Sequence, residues 1–260
     1  MNIAVVLKQV PDLVEGLEID VSGKAVDPSS VRYILSESDD HALEQALLMK
    51  ERGGGQVTVL ALDAPEVDDS MFTALAKGAD RALKVTDGDG APSTLQGAYL
   101  FAGTISGEPG MPADLILTGV QAIDDLDGLV APVIAHELGL PYLGIVTRLA
   151  ADPAGKMATA TCEYPGGVRA EFEVQLPAVF GVQAAERPPR YVPVARVRAA
   201  MKSQKIECVH VPTLADSGPA LVQVMEMRKV QPAAHAQILE GSPEQVSGRL
   251  CGIMTECGVM

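Results

Sequence analysis

Short apolar runs alternate with longer stretches of helical spacing through the first half of the chain. The runs are "IAVVL" (3–7), "QVTVLAL" (56–62), "RALKV" (81–85) and "DLILTG" (114–119). Between them, "DDHALEQALLMKERGGG" (39–55) gathers Ala42, Leu43, Ala46, Leu47 and Met49 on one face, and Gly53 to Gly55 end it. A second helix, "VDDSMFTALAKGAD" (67–80), carries Asp68 or Asp69 near its start and Gly78 where a left-handed cap belongs. "STLQGAYLFAGTI" (93–105) and "GLVAPVIAHELG" (128–139) supply the third and fourth, with Pro132 in the first turns of the last. Strands separated by helices predict an α/β fold with a doubly wound, mostly parallel sheet.

The pattern changes beyond Leu140. "YLGIVTRL", "KMATATCEY" and "GVRAEFEVQLPAVFGVQ" alternate like half-buried strands, and "YPGGV" joins the last two as a hairpin turn. This half is expected to lie antiparallel, at one edge or as an attached sheet. After "ERPPRY" the chain turns locally basic, with Arg196, Arg198, Lys202 and Lys205, so a boundary is set near Pro188. The organisation predicted is a core over 1–187, a basic arm over 188–206, and a C-terminal arm with a helix over 207–260. That last helix opens on Ser242, Pro243 and Gln245, a capping-box start.

Composition narrows the classes of function. Of 260 residues, 47% are apolar and 21% charged, as in a globular protein. Acidic residues outnumber basic ones 34 to 20, a formal charge of -14, and aromatics are 3% with no Trp, so nucleic acid is not an expected partner. No apolar run is long enough for a membrane span, and the start "MNIAVVLKQVPD" reads as a first strand, not a signal peptide. Cys162, Cys208, Cys251 and Cys257 are too scattered for a disulfide framework, which makes the cytoplasm the default location.

Motifs of bond-making chemistry are missing. "GGG" at 53–55 lacks the Lys-Ser/Thr of a phosphate loop, and His41, His136, His210 and His235 stand at no metal-ligand spacing. The stretch "TGVQAIDDLDGLVAP" (118–132) is different, because it leaves the carboxyl end of a strand, where open α/β sheets bind ligands. Its Asp124, Asp125 and Asp127 also suit a plain helix N-cap, and spacing alone favours that reading. In "VLKQVPD", Lys8 meets an anion, an acid or water, and Pro11 ends the first strand.

Taken in order, "VLKQVPD", "ALEQALLMKERGGGQVTVLAL", "ALAKGADRALKV", "DLILTGVQAIDD", "HELGLPY", "LPAVFGVQ" and "PPRY…MKSQKIE" resemble the beta subunit of electron transfer flavoproteins (the EtfB/FixA family) over about residues 1–206. The resemblance implies a Rossmann-like core of the adenine nucleotide alpha hydrolase type with a small antiparallel extension. It also implies a heterodimer with an alpha subunit that holds FAD mainly on its own side. Electrons would pass from dehydrogenases, such as acyl-CoA dehydrogenases, to a quinone-linked oxidoreductase, this chain being a carrier subunit with no catalytic residue. Two rivals are an electron-bifurcating beta subunit with its own second FAD, and a stand-alone adenine-nucleotide-binding regulator.

The same resemblance places an AMP or FAD site along Val6, then Ser36, Glu37, Ser38 and Asp39, then Leu62. Gly119, Val120, Gln121, Ala122, Ile123, Asp124, Asp125, Leu126, Asp127, Gly128, Leu129 and Val130 would form its phosphate side. Ser36-Glu37 replaces a common Asn-Pro, and Gly128, Leu129 and Val130 replace polar side chains, so donors to a phosphate are lost. One lost charge-assisted hydrogen bond is worth roughly 1.5–3 kcal/mol. The turn Lys8, Gln9, Val10, Pro11, Asp12, Leu13 would wall the flavin of the partner. The stretch after "PRY" would anchor dehydrogenases, with Val194 nearest the inserted apolar residue, Ala195 and Arg196 beside it, and Lys202 and Lys205 in a basic run.

Overall fold

The computed structural model describes residues 1–14, 16–88, 92–107, 111–124, 126–152, 154, 156–212, 224–230, 236 and 238–259. The chain runs through β1 (Asn2–Leu7), β2 (Gln9–Pro11), β3 (Tyr33–Leu35), α1 (Glu37–Gly53), β4 (Gln56–Leu62), α2 (Val67–Lys77), β5 (Arg81–Thr86), α3 (Thr94–Ser106), β6 (Leu115–Gly119) and α4 (Val130–Leu138). There follow β7 (Tyr142–Asp152), β8 (Met157–Tyr164), β9 (Val168–Gln175), β10 (Ala178–Val182), α5 (Val194–Ser203), β11 (Ile206–His210) and α6 (Pro243–Glu256). Among the described residues nine strands form one sheet in the order β11-β5-β4-β1-β6-β10-β7-β8-β9, and β2 with β3 forms a separate antiparallel pair.

The sheet is doubly wound because alternate residues of its central strand feed two cores. Ile3, Val5 and Leu7 pack with α1 and α2 on one face, while Ala4 and Val6 pack with α3 and α4 on the other. Val5 lies between Val59 of β4 and Leu117 of β6, and all three are fully buried. Burial of each such side chain stabilises by about 1.5–3 kcal/mol. From β1 the chain winds outward through β4 and β5, then returns to place β6 on the other side of β1. Strand order therefore reverses between β1 and β6, and their carboxyl ends open a crevice.

Two expectations are corrected. β8 and β9 are antiparallel as read, joined through Pro165–Gly167, but β10 lies parallel between β6 and β7. All five residues of β10 are buried, which is the signature of a central strand, and the preceding alternation of β9 hid it. Pro11 does not end β1, which stops at Leu7; it closes β2 opposite Tyr33. The basic stretch also holds regular structure: Val194 begins helix α5, which packs on α2, and β11 pairs with β5 at the sheet edge.

The segment after β10 is strapped to α1 by polar side chains of that helix. Ala185 N–H donates to His41 Nδ1 (3.1 Å), Glu186 N–H to Gln45 Oε1 (3.2 Å), and Arg190 binds Glu44 through Nε (2.8 Å) and its own backbone N–H (3.0 Å). Glu44 is 4% exposed. Burial pushes its carboxyl up, but the hydrogen bonds and charge of Arg190 hold it below its ordinary value on balance. Among the described residues no helix is long and apolar enough to cross a membrane.

Candidate functional site

The crevice is organised by Asp39 in the first turn of α1. Its carboxylate is 7% exposed and accepts from two strand-end amides, Lys8 N–H at 2.8 Å and Gly119 N–H at 2.6 Å. One side chain thus ties the ends of β1 and β6 to a helix start. Gly119 has to be glycine for reasons of space: a Cβ there would lie 2.2 Å from Ser38 Oγ and 2.6 Å from Asp39 Oδ1. Ser38 Oγ in turn donates to Gln121 O (2.7 Å), and Lys8 Nζ donates to Asp124 Oδ1 (2.8 Å), so the loop after β6 is held from both sides.

These ties divide the crevice into two hollows that share Val120, Gln121 and Ala122. The first is a cavity of about 260 Å³. Val6, Leu62, Phe101 and Val130 give it apolar walls, and Lys8, Gln9, Asp39, Asp63, Gln121 and Asp127 are its charged and amide groups. Gly97 of α3 lets the helix approach, since a Cβ there would stand 2.7 Å from Leu62 Cδ1. The second is a more open groove of about 690 Å³ between the β2–β3 pair and the loop, with Leu13, Ile34, Ile123 and Leu126 along it.

Comparison with known proteins gives this geometry a lineage. Residues 24–214 match the electron transfer flavoprotein domain family. The chain is 29% identical to the electron transfer flavoprotein subunit beta of Methylophilus methylotrophus over 265 aligned residues, covering 98% of each protein. It is 32% identical to the subunit of that name from Syntrophomonas wolfei, over 96% of this chain and 94% of the relative. Protein FixA of Azorhizobium caulinodans is 36% identical over 69% of this chain and 65% of its own length. The chain belongs to the electron transfer flavoprotein beta-subunit family.

In this member of the family the expected site residues separate between the two hollows. Val6, Lys8, Gln9, Asp39, Leu62, Gly119, Asp127, Gly128, Leu129 and Val130 line the cavity alone. Val10, Pro11, Asp12, Leu13, Ser36, Glu37, Ser38, Ile123 and Leu126 line the groove. Asp124 reaches Lys8 from the loop, and Asp125 lies outside the described residues. Val194, Ala195, Arg196, Lys202 and Lys205 line neither hollow; all five are exposed, the first four on α5 and Lys205 just after it.

The reading of the acidic loop as a helix N-cap is corrected. The cap position of α4 is Leu129, which offers no side-chain bond, and Asp127 Oδ1 accepts from Leu129 N–H (3.1 Å), one residue short of the helix. The Asp127 carboxylate therefore sits at the positive end of α4 and at the cavity wall together. Sequence reasoning missed Asp63, Thr94, Gly97 and Phe101. The turn after β4 and the start of α3 follow from the same strand-end topology, but which side chains face inward does not. Asp63 lies 3.5 Å from Lys84, whose ammonium is raised above its ordinary value chiefly by the hydrogen bond to Asp68, with Asp63 adding to it.

The apolar walls of this cavity suit a ring system, and its polar end carries more carboxylate than ammonium side chains. Of its carboxylates, Asp39 accepts two backbone amides, Asp63 stands against Lys84 and Asp127 accepts Leu129 N–H, while Lys8 is ion-paired to Asp124. The Thr118 hydroxyl is spent on Gly119 O (2.6 Å).

Proposed function

We propose that this chain is the beta subunit of a heterodimeric electron transfer flavoprotein. In this reading it receives electrons from dehydrogenases, such as acyl-CoA dehydrogenases, and passes them to a quinone-linked oxidoreductase through FAD held mainly by an alpha subunit, in the cytoplasm. The observation that carries it is the open groove. Leu13, Ile123 and Leu126 are 55%, 54% and 63% exposed at the carboxyl ends of the strands, and a cluster of exposed apolar side chains there supports a partner surface.

FAD supplies the electron chemistry when bound. What this chain adds is shape: Val10, Pro11 and Leu13 form a wall that excludes water, and the Lys8–Asp124 pair fixes the loop opposite the hairpin. No side chain at the groove is asked to break a bond, which makes the subunit a carrier and not a catalyst. The cavity, at about 260 Å³, lies just below the roughly 300–1,000 Å³ of typical small-molecule sites. That size favours one aromatic ring system with its sugar over a second complete FAD, so the single-flavin reading is preferred to bifurcation.

Two further segments extend the proposal. The start of α5, with Val194 62% exposed and Arg196 beside it, offers dehydrogenases an apolar anchor in a basic setting. Helix α6 buries none of its residues within this chain, while Leu250 and Ile253 stand exposed along it; these support packing on the alpha subunit. Co-expression with a candidate alpha subunit tests the reading. A yellow complex that co-purifies and is reduced by a dehydrogenase with its substrate is expected. A soluble homodimer that binds ATP tightly and ignores the alpha subunit would support the regulator instead.

A further inference from the structure

Helix α1 devotes one polar stripe to a single short segment of chain. His41, Gln45 and Glu44 accept the backbone N–H groups of Ala185, Glu186 and Arg190, and Pro188 and Pro189 between them have no N–H to offer. Both oxygens of Glu44 take the Arg190 guanidinium, from Nε at 2.8 Å and Nη2 at 2.8 Å, while Nη1 reaches Glu51 at 2.6 Å. Gln45 is 1% exposed and its Nε2 also holds Leu149 O (2.9 Å), which ties the stripe to β7. Apolar contacts alone would let such a segment slide, whereas a forked ion pair at a buried carboxylate accepts one register. Arg190 stands three residues ahead of Pro193, the cap of α5. Val192 and Val197 pack against the core, while Tyr191 and Val194 are 84% and 62% exposed. An exposed aromatic and an exposed valine therefore follow directly on the last residue that α1 holds.

We propose that Glu44 and Gln45 are positioning residues for dehydrogenase recognition: the polar stripe of α1 fixes the register of residues 185–190 and so presents Tyr191 and Val194 preformed at the start of α5. The inference rests on the reading that dehydrogenases meet this surface, and it adds the part of the molecule that holds the surface in place. A surface ordered in advance loses less freedom when a partner arrives, so the strap raises affinity without touching the partner. Neither residue lines a hollow, so electron transfer within the bound complex is left as it is.

The test uses the heterodimer and two variants: Glu44→Gln keeps the shape and gives up the charge, and Arg190→Lys keeps the charge and gives up the fork. In reduction by an acyl-CoA dehydrogenase with its substrate, KM for the heterodimer is expected to rise about tenfold in Glu44→Gln and about threefold in Arg190→Lys, with kcat unchanged. Amide hydrogen exchange of the free heterodimer reads the positioning by itself. Arg196 and Val197, whose N–H groups donate to Pro193 O at 2.8 and 3.3 Å, should exchange at least about tenfold faster in Glu44→Gln, while Val59 in the middle of the sheet keeps its rate. Unchanged exchange at Arg196 and Val197 beside a lower denaturant midpoint, the pattern of a merely structural pair, would overturn the assignment. An unchanged KM, or a loss confined to kcat, would overturn it too. If the parent heterodimer is not reduced by the dehydrogenase at all, the reading of the partner fails, and the exchange rates still decide whether α1 positions the start of α5.

Discussion

The two hollows at the strand ends are built from one loop and one helix start, yet they present opposite surfaces. The cavity on the β4 and α3 side is walled by Leu62, Phe101 and Val130 and ringed by carboxylates. The groove on the β2–β3 side leaves Leu13, Ile34, Ile123 and Leu126 partly in water. A deeper apolar hollow suits a small ligand, whereas exposed apolar side chains suit a surface that another protein covers. The difference arises from Asp39, Gly119 and Ser38, which draw the loop against α1 and make a partition of it.

Breaking the partition should have the largest effect. Asp39→Ala leaves the amides of Lys8 and Gly119 without their acceptor and is expected to cost about 3 kcal/mol in denaturant unfolding, with loss of binding at both hollows. Gly119→Ala drives a methyl into Ser38 and Asp39 and is expected to cost about 1–3 kcal/mol. Ligand affinity in both hollows should fall with it. A variant that folds stably and keeps both sites would show that the partition is not needed.

The groove can be separated from the cavity by charge. Leu13→Asp combined with Ile123→Asp places carboxylates on the exposed apolar rim and is expected to weaken association with the alpha subunit at least about tenfold. The stability of the chain itself should stay within about 0.5 kcal/mol in denaturant unfolding, since both positions are exposed. A comparable loss of folding stability would show that the rim is part of the core and not a partner surface.

Much of this fold is legible in the chain. β1, β4, β5 and β6 read directly as short apolar runs because parallel strands are covered on both faces, and α1 and α2 read from their apolar spacing and terminal glycines. β10 was masked because its five buried residues follow the alternating β9 without a break in apolar character. β2 and β3 are three residues each, too short for any periodicity. At the site, the strand ends and the loop after β6 follow from topology. The burial of Phe101 against the strand ends follows from the packing of α3, which spacing alone does not give.

The smallest effect is expected away from both hollows, at the strap on α1. Glu44 has a folded value below its ordinary 4.5, so its contribution is present above the unfolded value and is lost as pH falls through the folded one. Acid unfolding of Glu44→Gln should therefore be less steep in that acidic window than that of the parent chain. Between pH 6 and 8 its stability should be nearly flat for this group, and neither hollow should change. A pH-dependent loss of association with the alpha subunit at neutral pH in this variant would tie the strap to the groove after all.

Flavin count is the most direct test of the division between the smaller cavity and the open, partner-covered groove. The heterodimer is purified, denatured by heat, and its released flavin measured by absorbance against protein. One FAD per pair, lost in the Leu13→Asp and Ile123→Asp variant and kept in Asp127→Asn, is the expected result. Two flavins per pair would place one in this chain's cavity and contradict the division.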